Sequence, residues 1–168
     1  MQDNESIEAI ASGSEWVAAY TDQGYLRFFS HSGVQTYIIN EGLSVVTMAG
    51  YENLIAIVYH AGLPLYDSQN MMLKIIDTKT YKTIHVGNCP VSNKSELTWV
   101  GFSEEGMFTI IDSYGVVSGF NFKNSNFLPL LDLKEKFPNH YRQIWTVGFL
   151  ENEMLYVQML KGEEQPPL

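Results

Sequence analysis

Val100-Gly101-Phe102-Ser103-Glu104-Glu105-Gly106-Met107 returns in altered form as Val147-Gly148-Phe149-Leu150-Glu151-Asn152-Glu153-Met154, with the two glycines 47 residues apart. A glycine inside an apolar run weakens a strand unless packing calls for it, so its return at a fixed distance marks a repeated unit. A weaker match points the same way. Ala11, with Glu15 and Trp16-Val17-Ala18 after it, lines up with Ala49, Asn53 and Leu54-Ile55-Ala56 at a spacing of 38 residues. Periods of roughly 40–50 residues with four strands in each are the mark of β-propeller blades.

Working outward from these matches, short β-branched or aromatic runs closed by turn residues fill the chain. Strands are expected at 6–11, 16–20, 25–29 and 34–39, then at 45–49, 54–60, 71–77 and 81–86. A third set follows at 97–103, 107–112, 116–122 and 127–133, and a fourth begins at 144–150 and 155–160. Each run has the usual strand length, and glycines stand where turns need positive φ. The expected fold is all-β: a partial β-propeller over residues 1–168, with four-stranded antiparallel blades at about 6–40, 43–87, 97–133 and 144–168. The four-strand period and the scarcity of helix favour a propeller over a sandwich. Only residues 133–140 read as a short helix or turn, and residues 61–70 form the longest irregular stretch within a blade. The Trp-Asp dipeptide of many propeller repeats is absent. About three and a half blades leave open strand edges, so the chain is expected to be one part of a longer protein and to fold poorly alone.

With 168 residues, 45% of them hydrophobic, the chain has enough apolar surface for a packed core. No stretch approaches the roughly 20 apolar residues of a membrane helix, and the N-terminus lacks the pattern of a signal peptide. The nucleus or cytoplasm is the expected compartment. Nineteen acidic residues against ten basic give a formal charge of −9, which argues against direct contact with a nucleic-acid backbone. The nearest basic grouping is Lys134 with Lys136, interrupted by Glu135. Cys89 is the single cysteine, which excludes an intrachain disulfide or a thiolate zinc site; it reads as a small loop residue before Pro90.

Residues with chemical potential each have a structural explanation. Asp22-Gln23-Gly24 and Asp112-Ser113-Tyr114-Gly115 place carboxylates beside glycines, as expected for strand-connecting turns with local hydrogen bonds. Glu104 with Glu105, and Glu151 with Glu153, are paired acids at corresponding turns, expected to be a solvated rim. His31, His60, His85 and His140 show no metal-ligand spacing, with His31 in a turn and His60 and His85 at strand ends. No nucleophile elbow, phosphate loop or dinucleotide fingerprint occurs. The expectation is therefore no catalytic residue, no metal and no cofactor. Tyr25, Phe28, Phe29 and Tyr37, or Phe120 and Phe122, offer a possible partner-binding patch, but aromatic residues on strands more often pack the core.

Val45-Val46-Thr47-Met48-Ala49-Gly50 with Val58-Tyr59-His60, and Thr98-Trp99-Val100-Gly101-Phe102-Ser103-Glu104-Glu105-Gly106 with Asp112-Ser113 and Gly115, carry a family likeness. Over nearly the whole chain, from about Ile7 onward, the sequence resembles the middle domain of the replisome-adaptor family. That family includes the yeast chromosome transmission fidelity protein and the vertebrate acidic nucleoplasmic DNA-binding protein. The resemblance implies a six-bladed propeller in a nuclear homotrimer that ties the replicative helicase to the priming DNA polymerase. In the family, client peptides dock on a helical bundle that nothing in this chain matches, so no client-binding residue is carried over and the protein-interaction residues remain unknown.

Three functions follow as expectations. The first is a non-enzymatic scaffold segment acting through protein partners. The second is a generic peptide-binding propeller in signalling or trafficking, which the strand pattern alone equally allows. A propeller hydrolase would need inward carboxylates or histidines converging at the blade tops.

Overall fold

Turn chemistry sets the frame of the fold. Gly24, Gly33 and Gly115 take φ values of 77°, 83° and 85°, a left-handed conformation that glycine enters without steric cost, and each closes a hairpin between short apolar strands. The computed structural model describes residues 4–63, 69–139, 144–150 and 153–158. The first four strands are β1 (Ile7–Ser12), β2 (Val17–Thr21), β3 (Tyr25–Phe29) and β4 (Gln35–Asn40). They are followed by β5 (Ser44–Tyr51), β6 (Leu54–His60), β7 (Met71–Asp77) and β8 (Lys82–Asn88). Then come β9 (Leu97–Phe102), β10 (Phe108–Asp112), β11 (Val116–Asn121) and β12 (Asn126–Asp132), the single-turn helix α1 (Leu133–Lys136), β13 (Ile144–Leu150) and β14 (Glu153–Gln158).

Each set of four forms its own antiparallel sheet in chain order, β1-β2-β3-β4, β5-β6-β7-β8 and β9-β10-β11-β12, and β13 pairs with β14. The strands fall within about two residues of their sequence positions. Residues 133–140 yield only the four-residue α1, whose first turn is capped by the Asp132 carboxylate accepting from the Lys134 and Glu135 amides. The irregular stretch after β6 is closed by the Ala61 amide donating to the Asn70 carbonyl at 2.9 Å; residues 64–68 within it, and His140 after α1, lie outside the described residues.

Burial follows position in the sheet. The two middle strands of each set are mostly buried, β10 along its full length, whereas the last strands β4, β8 and β12 are mostly exposed. This is the profile of a meander covered on both faces at its centre, with one edge in solvent.

The chain divides into two compact units, one carrying β1 to β8 and the other β9 to β14. In the first, Trp16, Tyr20, Leu26 and Phe28 pack against Met48, Ile55, Ile57 and Ile76 in one core joining two sheets. Burying side chains of this size contributes roughly 1.5–3 kcal/mol each. The two leading strands also meet closely: a Cβ on Gly50 of β5 would stand 2.1 Å from the Ser12 carbonyl oxygen of β1. In the second unit, Ile111, Val117 and Leu133 form a core ringed by Trp99, Leu131, Phe137, Phe149 and Met154. Here the repeated glycines part company. Gly101 leaves room for the Trp99 indole, which a Cβ would meet at 2.4 Å, whereas Gly148 has nothing within 4 Å.

Candidate interaction surface

The turn acids hold strands together. Asp112 is 4% exposed and its carboxylate is fully used: Oδ1 accepts from the Tyr114 and Val116 amides, each at 3.0 Å, and Oδ2 from the Ser92 amide at 2.9 Å and the Ser95 hydroxyl at 3.3 Å. Burial pushes this carboxyl up, but the hydrogen bonds from Ser92, Val116 and Tyr114 outweigh it and hold it below the usual carboxylate range. Asp22 departs from the local pattern expected of it. Its carboxylate accepts from the amide and hydroxyl of Ser6, sixteen residues earlier, at 3.1 and 2.7 Å, and those bonds lower its pKa.

The two turns share one design. The Asp22 amide donates to the Ser6 carbonyl as the Ser113 amide donates to that of Glu96. The Gly24 carbonyl accepts from Glu41 and Gly42 as the Gly115 carbonyl accepts from Leu133. Each turn therefore fastens both the segment entering its sheet and the segment leaving it.

Two ion pairs with partly or largely buried side chains were not legible in the sequence. Arg27 on β3 forms a two-pronged bond with Glu5, Nε to Oε1 at 2.7 Å and Nη2 to Oε2 at 2.8 Å, and also reaches Gln35 at 2.9 Å. Lys74 on β7 donates to both carboxylate oxygens of Glu41, at 2.8 and 2.7 Å, linking the second sheet to the connection that leaves the first. Their partners lie 22 and 33 residues away, beyond any local pattern.

Nothing in the described residues assembles a reaction centre. His31 lies in an exposed turn and His60 ends β6 in solvent; His85 lies in the middle of the longer β8, with its pKa lowered by burial. Glu104, Glu105 and Glu153 are exposed, while Glu151 lies outside the described residues. Among the described residues no group of three or more His, Cys, Asp or Glu side chains is placed to hold a metal ion. Cys89 is buried in its loop, and burial pushes its thiol up to about 12, which keeps it from acting as a thiolate. No helix among these residues is long and apolar enough to cross a membrane.

What the surface offers is apolar and aromatic area. Of the aromatic residues singled out in the sequence, Phe28 and Phe120 are buried, Tyr25 and Phe29 half-buried, and Tyr37 and Phe122 exposed. Tyr37 stacks on Tyr81 with ring centroids 4.0 Å apart, and Phe122 stands edge-on to Phe120 at 5.1 Å. The exposed strand edges add Ile84 and Val86 on β8 and Leu128 and Leu130 on β12. On β12, Pro129 removes an amide and the register slips against β11, both of which discourage pairing with another strand. β8 lacks a proline but shares the second device, since its pairing with β7 also slips near Ile76.

Two grooves of about 470 Å³ lie among the described residues. One, in the first unit, runs between the β1–β2, β5–β6 and β7–β8 turns and is lined by Trp16, Thr36, Thr78 and Tyr81, with Glu15 and Glu52. The other, in the second unit, is walled by Trp99, Ile111, Tyr114, Leu133, Ile144 and Trp145. Their shapes and side chains suit contact with other molecules.

Comparison with known proteins gives this surface its context. A crystal structure titled HIRA(644-1017) superimposes with a TM-score of 0.58 over 77% of this chain and 41% of that one, at 14% identity. With its three four-stranded meanders and a further pair, the chain thus has the fold of a partial β-propeller. The human protein named "WD repeat and HMG-box DNA-binding protein 1" is 34% identical over 98% of the chain. The Arabidopsis thaliana "Protein ENHANCER OF LHP1 1" is 32% identical over 98%. The chain spans only 15% and 17% of the length of these two relatives. The family described as "Minichromosome loss protein, Mcl1, middle region" matches residues 1–168. Matched over that full span, the chain belongs to the Mcl1 middle-region family.

Proposed function

We propose that this segment is a non-enzymatic scaffold within a nuclear replication-fork protein. In that protein it helps a homotrimeric assembly link the replicative helicase to the priming DNA polymerase. The observation that carries this reading is the match of the Mcl1 middle-region family to residues 1–168. The structure supports it in kind. Four-stranded meanders with exposed apolar edges and open grooves suit protein contacts, and the charge of −9 sets this segment apart from a nucleic-acid-binding surface. Each four-strand set is taken as one blade, with the final pair as part of another.

The test uses the full-length protein. Light scattering should give the mass of three protomers, and a fluorescent fusion should concentrate in the nucleus. A monomer spread through the cytoplasm would instead support a generic peptide-binding propeller in signalling or trafficking, which the same strands and grooves would serve.

A further inference from the structure

The groove of the first unit has a defined chemistry. Its floor is Trp16, 7% exposed, and the β7–β8 hairpin contributes Thr78 and Tyr81. Two turns are fastened together at its mouth, where the Glu52 carbonyl accepts from the Ser14 amide at 3.0 Å and the Trp16 indole at 2.7 Å. That fastening brings together the residues that carry the Glu15 and Glu52 side chains. Both glutamates are exposed, and neither carboxylate has a hydrogen-bond or ion-pair partner among the described residues. Lys79, on the third turn, is the one cationic residue lining the groove.

We infer that this groove receives an arginine-bearing extended segment of a protein partner. The volume of about 470 Å³ accommodates a guanidinium side chain with part of its neighbours. The aromatic lining suits the flat, weakly hydrated guanidinium, and the two carboxylates match its charge and forked donors. Lys79 opposes that charge and sets the sign of one further test. The inference deepens the scaffold reading by assigning a partner chemistry to one groove. Its experiment is separate, because the groove is probed with purified protein while the replisome role is probed in nuclei.

The probe is a fluorescein-labelled Gly-Ser-Arg-Ala-Arg-Ser-Gly peptide, titrated by anisotropy against the full-length protein and compared with the same peptide carrying citrulline. Binding is expected to weaken with salt, and to weaken on the order of tenfold with citrulline or in a Glu15→Gln/Glu52→Gln variant. Lys79→Gln should tighten it by roughly threefold, a gain that misfolding does not produce. Glu104→Gln/Glu105→Gln, on a turn of the second unit, should leave it unchanged. Equal binding of the citrulline peptide overturns the inference. So does full affinity in the Glu15/Glu52 variant, weaker binding in Lys79→Gln, or an equal loss in the Glu104/Glu105 variant.

Discussion

The Trp16 indole nitrogen donates to the Glu52 backbone carbonyl at 2.7 Å, and with it the first turn of one sheet is bonded to the first turn of the next. The same carbonyl accepts from Ser14, while the Trp16 ring stands edge-on to Phe28 at 6.1 Å. Trp16→Phe removes the indole donor and three ring atoms of a buried side chain. It should cost about 2 kcal/mol, one hydrogen bond plus a small cavity, whereas Trp16→Ala should cost about 3–5 kcal/mol. Thermal melting ranks the two, and a Phe variant as stable as the unaltered protein would deny the indole bond any part.

Tyr81 occupies a left-handed position at φ 55°, where a bulky side chain is strained. The corresponding hairpins place Gly33 at φ 83° and Ser125 at φ 51° there. The Tyr81 ring accounts for the exception: it stacks on Tyr37, meets Phe28 edge-on at 5.2 Å, and its hydroxyl donates to Thr36 at 3.1 Å. Tyr81→Gly should relieve the strain yet remain destabilising by about 1–3 kcal/mol, because the lost packing outweighs the relief. Tyr81→Phe should cost about 1 kcal/mol or less. Urea unfolding checks the order, and a stabilised glycine variant would show that the strain outweighs the ring's packing.

Lys74 and Glu41 form a pair whose side chains are only 18% and 6% exposed. Lys74→Met strands a carboxylate in a poorly solvated place and should cost about 3 kcal/mol, discounted at the more exposed lysine end. Adding Glu41→Gln should recover much of that loss. A double-mutant cycle by denaturant melts measures the coupling; additive losses would mean the pair stabilises nothing.

The strand pattern was legible because it rests on local signals: glycine turns, β-branched runs and a repeat of fixed length. How deeply each aromatic residue is buried was not, since Phe28 and Tyr37 are direct cross-strand partners on one face with opposite fates. The Arg27–Glu5 and Lys74–Glu41 pairs join distant residues, and the strained Tyr81 breaks the turn rule for a ring contact with another sheet. The groove was equally hidden, because three turns from two sheets build it and no one of them carries a motif.

Asp112 gives the fold an acid limit. Its carboxyl is held below its unfolded value of about 3.9, so its stabilisation is complete above that value and lost as pH falls through the folded one. Asp112→Asn should lower stability near neutrality and flatten the loss on acidification. Melts between pH 7 and pH 3 compare the two proteins; parallel curves would assign the acid limit to other groups.

The proposed scaffold role requires that the protein containing this segment physically join helicase to polymerase. It is tested most directly by tandem capture from replicating nuclei, first on the tagged full-length protein and then on the priming polymerase. Replicative helicase subunits are expected in the second eluate, with loss of the helicase–polymerase association when the protein is depleted. Helicase and polymerase that remain associated to the same extent without it would rule that role out.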